Sequence, residues 1–159
     1  MMANKYGNTK VIVDGHKFDS IAESKYYKQL KWSQEHKQIL FFRLQPRYQL
    51  LGAFEKDGIS HRKVEYVADF EVHHLDGSIE VIDVKGAETE VFKIKRKFFE
   101  SIYPHKLTLL TLDDTYGWIE TDKLKKLKKQ ARKVKPSAKK KPRVGAPVSK
   151  RRRARRVSL

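Results

Sequence analysis

Asp69, Asp83 and Lys85 are the residues whose types and spacing could do chemistry together. They lie on two apolar segments that read as neighbouring strands, Val64-Glu65-Tyr66-Val67-Ala68-Asp69-Phe70-Glu71-Val72 and Ile79-Glu80-Val81-Ile82-Asp83-Val84-Lys85-Gly86. Strand side chains alternate between faces, so Asp83 and Lys85 share one. The intervening His74-Leu75-Asp76-Gly77-Ser78 carries the Asp-Gly signal of a tight turn. A connection centred on Asp76 sets Asp69 opposite Asp83 and brings two carboxylates and an ammonium to one patch. Two carboxylates suit a hard, oxygen-loving cation such as magnesium. A lysine beside them suits a metal-bound water or charge developing on a phosphoryl group. Register decides between this and a merely decorated hairpin. A strict two-residue turn at Asp76-Gly77 pairs Asp69 with Val84 and sends Asp83 to the other face. Convergence requires an odd-length loop or a bulge, for which Gly77 in a left-handed conformation is a suitable device.

The elements that must position these residues follow from periodicity. Val11 to Phe18 forms a short hairpin or an extended lead-in. Ser20 with Glu23 three residues later fits a capping box, and Ala22, Tyr26 and Leu30 follow at helical spacing, giving a helix over about 20–36. Ile39 to Leu51 is strand-like, with Pro46 marking an edge or a bulge. Gly52 to Ser60 reads as a loop. A second helix runs from about Glu90 to Ile102, with Val91, Ile94, Phe98 and Ile102 as its apolar stripe. Pro104 stops it, and Leu107 to Leu112 reads as a buried strand. Asp122 caps a last helix that ends before Pro136. The order implies an α/β sandwich around a mixed sheet, with antiparallel middle strands.

Charge divides the chain more sharply than hydropathy does. The net charge is +17 over 159 residues. Residues 1–122 hold 18 Lys/Arg against 19 Asp/Glu, whereas residues 123–159 hold the other 18 Lys/Arg and no acid. This implies a nearly neutral domain over 1–122 and a basic tail over 123–159, helical to about 135 and disordered beyond, of a kind that meets polyanions. The absence of cysteine excludes disulfides and thiolate metal sites. No apolar run approaches the roughly 20 residues needed to span a bilayer, and Met1 to Lys10, read as frayed, lacks a signal peptide's apolar block. The expectation is a soluble, cytoplasmic protein without a membrane partner.

An Asp, a spacer and then Asp-X-Lys on adjacent strands, after a helix bearing a glutamate, resembles the PD-(D/E)XK nuclease superfamily with its restriction-endonuclease-like fold. More specifically, Phe18-Asp19-Ser20-Ile21-Ala22-Glu23, Leu44-Gln45-Pro46, Tyr66-Val67-Ala68-Asp69-Phe70 and Asp83-Val84-Lys85-Gly86 resemble small phage and prophage proteins described as Holliday junction resolvase-like endonucleases. The resemblance covers roughly residues 4–112, with Ala68 where the superfamily often has proline. It implies that Asp69 and Asp83 ligate Mg²⁺, for which Mn²⁺ substitutes. Glu23 would complete the carboxylate cluster or orient water, although Ser20-X-X-Glu23 also reads as a cap. Lys85 would help activate water and stabilise charge on the phosphate. Lys93, Arg96, Lys97 and Arg62 become candidate DNA contacts, each equally readable as a solvated surface cation. Thr89 is a weaker one. Gln45 reads also as a bulge residue and Tyr66 as core, and His73-His74 point to opposite faces, against a joint metal site. The implied protein is a Mg-dependent endonuclease for branched DNA, a homodimer encoded by a phage or prophage. Alternatives are a nuclease of that fold acting on flap, single-stranded or mismatched DNA, and a non-catalytic nucleic-acid-binding accessory protein.

Overall fold

The computed structural model describes residues 9–85 and 88–134. The expectations for residues 1–8, Gly86 and the segment from 135 onward lie outside these. A hairpin, β1 (Val11–Val13) and β2 (His16–Phe18), opens the described chain. Its turn, Asp14-Gly15, has positive φ at both residues (50° and 76°), the mirror-image turn that matches strand twist. Ser20 then caps α1 (Ile21–Glu35), its hydroxyl accepting from the Glu23 amide.

Five strands make the central sheet, in the order β11 (Gly117–Glu120), β10 (Lys106–Asp113), β9 (Ile79–Val84), β8 (Phe70–His74) and β3 (Ile39–Leu44). β9 and β10 run parallel, joined by the crossover helix α2 (Glu90–Ile102); the other pairs are antiparallel. The sheet is therefore mixed with antiparallel middle strands, as the sequence implies. α3 (Thr121–Val134) follows β11 and packs on β10 and β11, burying Leu124 and Thr121.

Alternation along β8 and β9 sorts their side chains onto two layers. Phe70, Val72, Ile82 and Val84 face α1 and pack with Tyr26, Tyr27, Leu30 and Phe18. On the other face, Val81, Leu107 and Leu109 pack with Phe92 and Phe99 of α2 and with Tyr48 and Tyr66. The sheet is covered on both sides, so a polar residue on either face near its middle is buried.

Three expectations are corrected. The stretch 39–51 is two strands, not one. The chain bends at Gln45, which adopts a left-handed φ of 48°, and β4 (Arg47–Leu51) leaves the sheet to pair with β7 (Val64–Val67). Residues 52–60 are not a plain loop: β5 (Phe54–Lys56) and β6 (Ile59–His61) form a hairpin around Asp57-Gly58, again with positive φ at both. The α2 stripe Val91, Ile94, Phe98 and Ile102 faces outward, and the helix seats itself on Phe92 and Phe99.

Candidate active site

The β8–β9 register settles where the acids go. Phe70 pairs with Ile82, Glu71 with Val81 and His73 with Ile79; the ladder ends there, and the Asp69 amide donates to Ile82 O (3.2 Å), which leaves the Asp69 carboxyl beside that of Asp83. The connection is odd in length, closed by His74 N–H donating to Ser78 O (2.9 Å), with Gly77 at φ 84°. This is the geometry that convergence requires, and the left-handed glycine supplies the reversal.

Asp83 is 1% exposed. Lys85 lies two residues on along the same face and donates to both its oxygens at 2.5 Å, while the Tyr66 hydroxyl donates to Oδ2 at 2.7 Å. The ammonium also lies 4.9 Å from the centre of the Phe92 ring, an aromatic face that attracts cations. Tyr66 is thus more than a core aromatic: its ring packs under α2 and its hydroxyl orients a carboxylate. Burial, then the Asp83 carboxylate, push the Tyr66 hydroxyl well above its usual range.

Asp69 sits at the mouth of β8, where its Oδ2 accepts from the Val84 amide (2.7 Å). Its pKa is pushed up to about 8, first by burial, then by the Asp83 carboxylate, with Glu23 adding to both. Two acids forced together in a dry place cannot both ionise cheaply without a cation. Glu23 faces the same region from the start of α1, and burial raises its pKa against the opposing Ser20 hydrogen bond. Its oxygens are engaged in the capping box, accepting from the Asp19 amide (2.9 Å) and the Ser20 hydroxyl (2.9 Å). The cap and the acidic cluster therefore use the same side chain.

Carboxylate oxygens carrying more negative charge than Lys85 balances suit a hard divalent cation in their chemistry. Their present geometry does not chelate one: among the described residues no three acid, histidine or cysteine side chains converge closely enough to hold a metal ion. Lys85 takes both Asp83 oxygens instead.

Glu23 and Asp69 line a cavity of about 340 Å³, whose lining also includes Lys10, just before β1, His16 and Lys17 of β2, and Gln45. The sequence pattern alone did not single out these basic residues. Their signal was available, since the Asp14-Gly15 turn folds these residues back just ahead of α1.

The proposed DNA contacts fare differently. Lys93 reaches Glu90 (2.7 Å) and stays exposed; Lys97 and Arg62 are exposed and form no salt bridge among the described residues. Arg96 is partly buried and engaged with Glu100 (2.9 Å), Asp122 (3.7 Å) and Glu88 (4.0 Å), which ties α2 to α3. Thr89 caps α2 by accepting from the Phe92 amide. His73 and His74 separate as expected, to Glu71 and Glu80.

A family model described as "Protein of unknown function (DUF1064)" matches residues 3–116. The chain belongs to this family. The DUF1064 match takes in Glu23, Asp69, Asp83 and Lys85 and stops short of β11 and α3. No curated protein and no solved structure matches the chain. Among the described residues, no helix is long and apolar enough to cross a membrane.

Proposed function

We propose that this DUF1064 protein is a metal-dependent endodeoxyribonuclease with a restriction-endonuclease-like fold, hydrolysing phosphodiester bonds in branched DNA. The observation that carries the reading is the buried Asp83 and half-buried Asp69 brought together where the β8–β9 ladder ends, with Lys85 on the same face as Asp83. A core carboxylate is costly to bury and needs a compensating role. Asp69 and Asp83, with Glu23 beside them, would hold Mg²⁺ or Mn²⁺, which when bound neutralises phosphoryl charge and supplies an acidified water.

The chain's own groups do the rest. Tyr66 fixes the orientation of Asp83. The Lys85 ammonium, partly exposed, is placed to meet a phosphate oxygen as charge develops there. Lys93, Lys97 and Arg62 are the exposed cations available for the duplex backbone, where contacts position without reading sequence. Two nicks across a four-way junction call for two sites, hence a homodimer. A phage or prophage origin and a cytoplasmic setting belong to the same reading and rest on the sequence resemblance.

The deciding assay incubates purified protein with a labelled four-way junction, a flap and a linear duplex, with Mg²⁺, Mn²⁺ or EDTA. The expected outcome is junction cleavage that EDTA abolishes. Asp83→Ala and Lys85→Ala should each eliminate cutting while leaving gel-shift affinity within a few-fold. A fully active double mutant would falsify the site. Equal cutting of all three substrates would instead indicate a nuclease of broader choice. The closed Asp83–Lys85 ion pair favours one second reading, a nucleic-acid-binding accessory protein in which the pair is structural. That reading predicts EDTA-resistant binding and no cleavage with either metal.

A further inference from the structure

We infer that the outward stripe of α2 is the surface through which two copies of this chain associate. The inference deepens the homodimer part of the proposed function by naming its interface. It rests on α2 alone, and its test reads mass rather than cleavage, so the two can fail separately.

Val91, Ile94, Phe98 and Ile102 are 64%, 56%, 51% and 49% exposed. They lie along one side of a 13-residue helix whose buried face is supplied instead by Phe92 and Phe99. α2 packs on β4 and β10, and neither covers the stripe. Four large side chains about half or more exposed present on the order of 400 Å² of apolar surface, the size of the largest patch on a typical monomer, which is often functional.

The occupant is narrowed by composition and area. Residues 135–159 hold 11 Lys/Arg and only Val144, Val148, Val157 and Leu159 as large apolar residues, a poor match for an apolar stripe. The eight residues preceding the described chain offer just Met1, Met2 and Tyr6. A second α2 offers the same apolar stripe, and a two-fold axis would set the two stripes against each other. A stable interface buries about 800 Å² per partner as an apolar centre within a polar rim. The stripe supplies about half of that as the centre. Glu90 and Ser101 beside it are exposed and polar, as a rim requires.

Sedimentation equilibrium on the full chain, in high salt so that bound nucleic acid cannot bridge molecules, tests this. The expected mass is twice the 18.7 kDa of the chain. Phe98→Glu and Ile94→Glu, both at exposed positions, should raise the dissociation constant by roughly 30-fold or more, while circular dichroism shows a folded protein. Because the chain lacks cysteine, an oxidised mixture of Ile94→Cys and Phe98→Cys proteins should give disulfide-linked dimers on non-reducing gels. A monomeric wild type overturns the inference, as does a dimer that survives Phe98→Glu and gives no cross-link.

Discussion

Burial and the facing Asp83 carboxylate keep Asp69 protonated up to about pH 8. In the unfolded chain an aspartate releases its proton near pH 3.9. Between these values the unfolded state binds fewer protons than the folded one, so this residue makes stability fall as pH rises from about 4 to about 8 and adds no further slope above. Urea unfolding in EDTA should therefore show a lower midpoint at about pH 8 than at about pH 5, with the difference reduced in Asp69→Asn. That variant should also melt higher than wild type at neutral pH, because an amide folds there without the proton that Asp69 must take up, while under the proposed function it loses all cleavage. Lys85→Met should act oppositely, costing roughly 1–3 kcal/mol by leaving the buried Asp83 with Tyr66 alone. At this scale the sequence was readable where parity ruled, in the Asp69–Asp83 register. It was ambiguous where one residue serves two purposes: Ser20-X-X-Glu23 has the same spelling whether Glu23 caps a helix, serves a site, or does both.

Element type was legible from period and punctuation; element environment was not. α2 begins and ends where its apolar spacing and Pro104 imply, yet periodicity selected the face with the most apolar residues, and the core took the other. Two aromatics seven residues apart, Phe92 and Phe99, outweigh the longer stripe because they fill the space above Val81 and Leu107 beside Tyr48 and Tyr66. Phe99→Ala should accordingly destabilise the fold by about 3–5 kcal/mol, whereas Phe98→Ala should leave it within about 0.5 kcal/mol; urea melts of both at low protein concentration check this. The strand reading of 39–51 failed for a local reason. Pro46 was the visible warning, but a left-handed Gln45 has no apolar signature, and the departure of β4 to β7 is a tertiary preference.

Charge asymmetry, legible at once from composition, would govern the DNA binding proposed above. α3 belongs to the folded body through Leu124, Thr121 and the Lys128–Asp113 pair (2.9 Å), so the cut that removes tail charge without injuring the fold falls after Val134. Truncation there should lower DNA affinity uniformly across sequences and flatten the log-log salt dependence by roughly 0.9 for each phosphate that the shortened chain leaves unneutralised. Filter binding across a salt series measures it. An unchanged slope removes the tail from DNA binding.

Arg96 sits where α2, the approach to α2 and α3 converge, with Glu88 shared between it and Lys125 (2.7 Å). Beyond the packing of Leu124 and Thr121, α3 is therefore tied through a few solvent-screened charges to the helix whose first turn lies over Lys85. Ionic strength would then have two separate levers on this protein: it would thin the proposed attraction for DNA, and it would slacken the ion pairs between α2 and α3.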